Sequence, residues 1–174
     1  LLDSANKRFV LVTDDAIYKF LSQDINSYTE KYEVLVTDNF KTKEIRQPKL
    51  GTVGVKIENN LLNIDLTGLD FDRSELKEIL AKYNLKKKYH RLKDGSFLDL
   101  EQNEDIKFLN SLEYGMEVDY KDLEKGKIRV PVYRSLYLNK LLENVKNVEI
   151  QKDKEYKEIV NNIDEREYDN EITP

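Results

Sequence analysis

Cysteine is absent from all 174 residues, so disulfides and thiolate metal sites are excluded, and an intracellular setting is expected. Histidine occurs once, at His90. An imidazole zinc site or a Ser-His-Asp triad would have to use that residue, yet neither an elbow serine nor a second metal ligand accompanies it. A phosphate loop is missing as well: Gly126-Lys127 lacks both the earlier glycine and the following hydroxyl of the Gly-rich nucleotide cradle. No apolar run approaches the roughly 18–20 residues that span a bilayer, and there is no secretory apolar core. These absences lead us to expect no catalytic residue, no metal and no cofactor in this chain, and no membrane span.

What remains is a charged chain with a patterned apolar fraction. Charged residues make up 36% and hydrophobic residues 39%, with a net charge of −5. The apolar residues recur periodically, which argues against disorder and for a core of useful size. Carboxylates number 34, so adjacent pairs such as Asp14/Asp15 or Glu104/Asp105 carry little information and are explained by helix capping. Asp164-Glu165-Arg166-Glu167 has a faint likeness to a helicase acidic box, but it follows a helical pattern and reads as solvated tail. The first residue is Leu1 rather than Met, which points to a piece of something longer.

Local patterns give an α+β chain. Arg8–Val12 reads as a short buried strand. Asp14 or Asp15 then caps a helix bearing Ile17, Phe20 and Leu21. Glu33–Thr37 reads as a second strand and 38–50 as irregular. Val53, Val55 and Ile57 alternate, as do Leu62, Ile64 and Leu66, around an Asn59-Asn60 turn suited to positive φ. Leu76, Ile79, Leu80 and Tyr83 share a helix face, with Asp72 and Glu75 at capping-box spacing. Asp94-Gly95 signals a second hairpin with a two-residue turn, which would set Tyr89 against Leu100, His90 against Asp99, Arg91 against Leu98 and Leu92 against Phe97. A helix over 103–113, a loop over 114–126 and a strand over 127–130 stopped by Pro131 follow. Two more helices carry Leu138, Leu141, Leu142, Val145 and Tyr156, Ile159, Val160, Ile163, the last begun by Asp153. The acidic tail from Asp164 is expected to be mobile.

The second hairpin stands out electrically. From Lys82 to Lys93 there are six Lys/Arg residues and no acid, in an acidic protein. Three readings stay open. The lysines after a helix C-terminus satisfy its dipole and are merely solvated. Alternatively they contact phosphate, with Arg91 as a fork and Tyr89 as a stacking or packing face. Or they dock on an acidic surface, such as this chain's own C-terminal tail.

Lys87-Lys88-Tyr89-His90-Arg91-Leu92-Lys93-Asp94-Gly95-Ser96-Phe97-Leu98-Asp99-Leu100-Glu101 resembles the signature of the bacterial Swi/Snf helicase-associated domain. Pro131-Val132-Tyr133-Arg134-Ser135-Leu136-Tyr137-Leu138 resembles a second block of that family, and Gly54-Val55-Lys56-Ile57 is similar to its preceding hairpin. The resemblance implies an accessory domain N-terminal to an ATP-driven DNA translocase motor, with ATP and Mg bound by that motor and none here. It also implies double-stranded DNA and the motor of the same polypeptide as partners, in the cytoplasm or on the nucleoid.

Together these readings set the expectations. The fold is α+β, antiparallel hairpins packed with four to five helices. The domains are 1–101, an α+β lobe with two hairpins; 102–163, a mainly helical lobe; and 164–174, an acidic linker towards the motor. Lys86, Lys87, Lys88, Arg91, Lys93 and Arg134 are the candidate contacts to nucleic acid or partner. The alternative is a protein-interaction or autoinhibitory module docking on the ATPase lobes without touching DNA.

Overall fold

The computed structural model describes all residues except 1, 4, 6, 7, 34–39, 41, 42, 102 and 172–174, with backbone alone described at 2, 3, 8, 9 and 163–171. The fold is α+β, as the local patterns indicate. Two short strands, β1 (Leu2–Asp3) and β2 (Arg8–Phe9), pair antiparallel at the start. The strand expected at 8–12 is shorter than expected, spanning Arg8–Phe9, and beyond it Val10 is half-buried while Leu11 and Val12 are exposed. Helix α1 (Asp14–Lys19) runs through a wider π turn (Phe20–Asp24) into α2 (Ile25–Thr29). Thr13, not either aspartate, caps α1: its side chain accepts from the Ala16 N–H at 3.2 Å. None of Ile17, Phe20 and Leu21 is fully buried. The strand expected at 33–37 falls largely outside the described residues.

The first hairpin forms as its alternation requires. Strands β4 (Thr52–Glu58) and β5 (Leu61–Thr67) pair with Val53 opposite Leu66, Val55 opposite Ile64 and Ile57 opposite Leu62. Asn59 and Asn60 take φ of 53° and 61°, the left-handed pair that a two-residue turn demands. Two strands from late in the sequence complete this sheet, which runs β8-β5-β4-β9. β8 (Lys127–Pro131) is antiparallel to β5, and β9 (Glu149–Lys152) is parallel to β4. Pro131 lies within β8 at the sheet edge, where its missing N–H costs nothing.

Apolar faces of the longer helices close the core over this sheet. Helix α3 (Leu76–Asn84) contributes Leu76, Ile79 and Leu80, and α4 (Glu104–Gly115) contributes Ile106, Phe108, Leu109 and Leu112. The stretch 114–126 is not a plain loop. It holds α5 (Tyr120–Lys125), capped by Asp119, anchored by buried Leu123 and ended by Gly126 at φ 70°. Helices α6 (Ser135–Glu143) and α7 (Lys154–Glu171) add Leu138, Leu142, Tyr156 and Val160. Asp153 starts α7 as expected, accepting from Tyr156 N–H at 2.8 Å, while its other oxygen accepts from Ile57 N–H and ties the helix to β4. The backbone of the presumed tail continues this helix to Glu171.

A second sheet, ordered β3-β7-β6, carries the candidate site: β6 is Tyr89–Arg91, β7 is Phe97–Asp99, and β3 (Ile45–Arg46) is parallel to β7 within the stretch read as irregular. The observed register differs by one residue from the expected one. Tyr89 opposes Asp99, His90 opposes Leu98 and Arg91 opposes Phe97. The turn has three residues, Lys93-Asp94-Gly95, with Gly95 at φ 87° and a Leu92 N–H to Ser96 carbonyl bond of 2.9 Å beyond it. Asp94 drives this choice, since its Oδ1 accepts from both the N–H and the Oγ of Ser96. The slip also sorts the faces. His90, Leu92, Leu98 and Leu100 are all buried, and the observed register sets His90 opposite buried Leu98 where the expected one would have set it against half-buried Asp99.

Candidate nucleic-acid interface

The six candidate cations occupy three kinds of environment. Lys86, Lys87 and Lys88 follow α3 and are exposed. The helix ends in two reversed bonds, Lys86 N–H to Tyr83 carbonyl at 2.9 Å and Lys87 N–H to Lys82 carbonyl at 3.0 Å, the Schellman pattern. That pattern wants glycine at the left-handed position, but Lys86 sits there at φ 56°, a conformation costing about 1 kcal/mol for a residue with a Cβ. The three lysines form an exposed ridge, with Lys86 and Lys87 lining two grooves and Lys88 the first of them. One, of about 920 Å³, opens toward α1; the other, of about 550 Å³, opens toward the start of α4. Lys86 lies over the Tyr83 ring at 5.5 Å, and Lys88 has a loose contact with Glu101 at 3.7 Å. Lys87 has no ion pair among the described residues.

Arg91 and Lys93 are engaged within the chain. Arg91 pairs with Asp14 and lies 5.8 Å over the Phe97 ring. Lys93 donates from Nζ to the Ser74 hydroxyl at 3.1 Å. Arg134 belongs to a different neighbourhood: it pairs with Glu117 at 2.6 Å and stacks near Tyr133 at 5.8 Å. Acids do answer the basic hairpin, then, but among the described residues they come from α1 and from Glu101. The side chains of the C-terminal tail lie outside the description.

Three residues that pattern reading passed over shape the site. Asp14 and Asp15, read as caps, turn instead towards Arg91 and Tyr89. The Tyr89 hydroxyl donates to Asp15 Oδ1 at 2.6 Å, and burial together with this bond pushes the phenol well above its usual range. Tyr18 stacks on Tyr89 at 4.3 Å between centroids and 20° between planes, with the Phe97 ring behind both. No feature of Asp14, Asp15 or Tyr18 in sequence distinguishes them from ordinary helix residues.

Glu75 is the other surprise. Asp72 caps the turn before α3, accepting from Ser74 N–H at 2.9 Å, but Glu75 does not complete a capping box. Its side chain is turned inward, where Oε2 lies 3.3 Å from His90 Nε2 and accepts from Lys93 N–H at 3.2 Å. His90 is only 1% exposed, and its Nδ1 has no partner. A charged imidazolium would strand a buried N–H donor there, so the neutral form with its proton on Nε2 fits. The lone histidine is thus a structural core residue that pins β6 to α3.

A pH dependence follows from that burial. Desolvation holds His90 below the ordinary imidazole value of 6.5, outweighing the raising effect of Glu75. As pH falls below 6.5 the unfolded chain takes up a proton that the folded chain refuses, so stability is lost down to the depressed folded value. Above 6.5 the effect vanishes. Asp105 and Glu113, pushed up by burial, act with the opposite sign, so the readout is the difference between proteins. Thermal melts of wild type minus His90→Gln are expected to begin to slope as pH falls below about 6.5, with wild type losing stability relative to the variant. Identical slopes in the two proteins would refute the buried neutral imidazole.

Among the described residues no group of three or more His, Cys, Asp or Glu could hold a metal ion, and no helix is long and apolar enough to cross a membrane. The site is an exposed cationic corner. The chain belongs to the family described as bacterial SNF2 helicase associated, which it matches over residues 2–174. This agrees with the resemblance carried by Lys87–Glu101 and Pro131–Leu138. No curated protein and no solved structure matches the chain.

Proposed function

We propose that this domain is a non-catalytic accessory region that guides duplex DNA to an ATP-dependent SNF2-type motor in the same polypeptide. The motor supplies ATP and Mg binding and the hydrolysis, and the protein works in the cytoplasm or at the nucleoid. The observation that carries the reading is the ridge Lys86-Lys87-Lys88, exposed, set at a left-handed helix end and bordered by open grooves. Lysines so placed supply point charges to a phosphate backbone without reading sequence. Arg91, Lys93 and Arg134, already paired within the chain, are secondary contacts.

A second reading, docking on the motor without DNA, is favoured by a separate observation. Tyr133 and Tyr114 are 75% and 64% exposed, and Tyr137 is also exposed, beside Arg134. Tyrosine and arginine are the residues that dominate protein interfaces.

The two readings separate in the ATPase of the motor-bearing protein. Lys86→Glu/Lys87→Glu/Lys88→Glu is expected to raise the DNA concentration for half-maximal stimulation while sparing the basal rate. Tyr133→Ala/Tyr137→Ala is expected to leave DNA dependence alone. An unchanged DNA dependence in the lysine variant, with an altered basal rate in the tyrosine variant, would replace the first reading by the second.

A further inference from the structure

We infer that Tyr89 and Arg91 form a subsite for one unpaired nucleotide of a DNA strand, and that α1 occupies it as a self-ligand through Tyr18, Asp14 and Asp15. The inference rests on the proposed nucleic-acid role and adds to it a ligand class and a means of control.

The contents of the subsite point to this chemistry. A flat ring, Tyr18, lies nearly parallel on Tyr89 at 4.3 Å. An anion, the Asp14 carboxylate, pairs with Arg91, and a second, Asp15, accepts from the Tyr89 hydroxyl at 2.6 Å. A stacked ring with negative oxygens at its side is what a nucleotide offers to an aromatic platform and a guanidinium fork. The platform is firm. Tyr89 and Arg91 stand on β6, with buried Phe97 packed behind them on β7.

The occupant, by contrast, is lightly held. No residue of α1, the π turn or α2 is fully buried, so this segment does not belong to the core. Among the described residues its docking on the hairpin rests on one half-exposed ion pair, one hydrogen bond and the Tyr18 ring against Tyr89 and Phe97, contacts that water or another anion can replace. A helix anchored by its own apolar stripe would not behave this way.

The position is continuous with the lysine ridge. The groove beneath α1 is lined by Lys86, Lys87 and Lys88 as well as by Asp14, Tyr18 and Tyr89. A strand whose phosphates follow the lysines would therefore reach Tyr89 only by displacing Tyr18. While α1 is seated the competent fraction is small, and apparent affinity is reduced by that fraction.

The test is fluorescence anisotropy of a labelled single-stranded oligothymidylate of about 12 nucleotides with the whole 174-residue chain, beside an abasic strand of equal length. Tyr18→Ala changes no charge and removes no core residue. It is expected to bind the thymidylate strand about tenfold more tightly than wild type and to show no such gain on the abasic strand. Adding Arg91→Gln should cancel the gain. Asp15→Asn, which keeps the ring, should move affinity severalfold in the same direction, so the result does not hang on one variant. Wild-type binding that depends on the lysines, with no gain from either substitution, would overturn the self-ligand and leave the proposed function standing. A gain of equal size on the abasic strand would also overturn it, since base stacking would then play no part. Absence of binding to either strand by every protein would overturn the subsite, while the duplex-guiding role stands or falls on duplex binding.

Discussion

Glu75→Ala is expected to destabilise the domain by about 2–5 kcal/mol. Glu75 is 6% exposed, and its Oε2 serves two donors, the His90 imidazole and the Lys93 N–H. Truncation leaves both donors without their acceptor. Each buried donor left unpaired costs about 1–3 kcal/mol. Both contacts are long, at 3.3 Å and 3.2 Å, which favours the lower half of the range. Glu75→Gln keeps an acceptor and should cost only about 1 kcal/mol. The exposed neighbour Glu78 supplies the control, since Glu78→Ala should stay within about 0.5 kcal/mol. Urea titration of the three variants reads the series. The consequence extends to function, because Glu75 links α3, which carries the lysine ridge, to the hairpin that carries Tyr89 and Arg91. If Glu75→Ala behaved like Glu78→Ala, the seat of the hairpin would have to lie in its apolar face alone.

Much of the fold was legible where a local rule decides it. Val53 to Leu66 alternates with period two around a pair of asparagines, and the observed hairpin matches in register and turn. Leu76, Ile79 and Leu80 mark one helix face and are all buried. Longer-range pairing was not legible. β9 joins β4 in parallel, Thr52 beside Glu149, and nothing local to Glu149–Lys152 announces that partner. The slip in the second hairpin had a local cause that a dipeptide rule overrides: Asp94 reaches Ser96, and the turn gains a residue. With that slip His90 left Asp99 for the core.

The candidate site was legible by charge but not by partner. The lysine run is visible in any reading of residues 82–93, and it does stand exposed. That Arg91 would be taken by Asp14, across 77 positions of sequence, is a tertiary fact. Asp14 and Asp15 look like helix-start residues because they are in the first turn of α1. Their turning towards the hairpin depends on where α1 lands, which Tyr18 and the Tyr89 ring decide by stacking.

The second large effect concerns the ridge itself. If Lys86, Lys87 and Lys88 each neutralise one phosphate, they contribute about 2.7 to the log–log salt dependence of duplex binding. Between about 50 and 200 mM salt that amounts to roughly a 40-fold loss of affinity. Reversing the three charges removes this attraction and adds repulsion, so at low salt the affinity should fall by about that factor or more. The fold should survive, because all three side chains are exposed and their ring and ion-pair contacts among the described residues are slight, Lys86 over the Tyr83 ring and Lys88 loosely with Glu101.

The most direct measurement is therefore anisotropy of labelled duplex DNA across a salt series, wild type against Lys86→Glu/Lys87→Glu/Lys88→Glu. We expect wild-type binding that weakens steeply with salt, and a folded variant whose affinity is lower and whose salt slope is shallower by about 2–3. Equal affinities and slopes in the two proteins, or no wild-type binding at low salt, would contradict a DNA-guiding role for this corner.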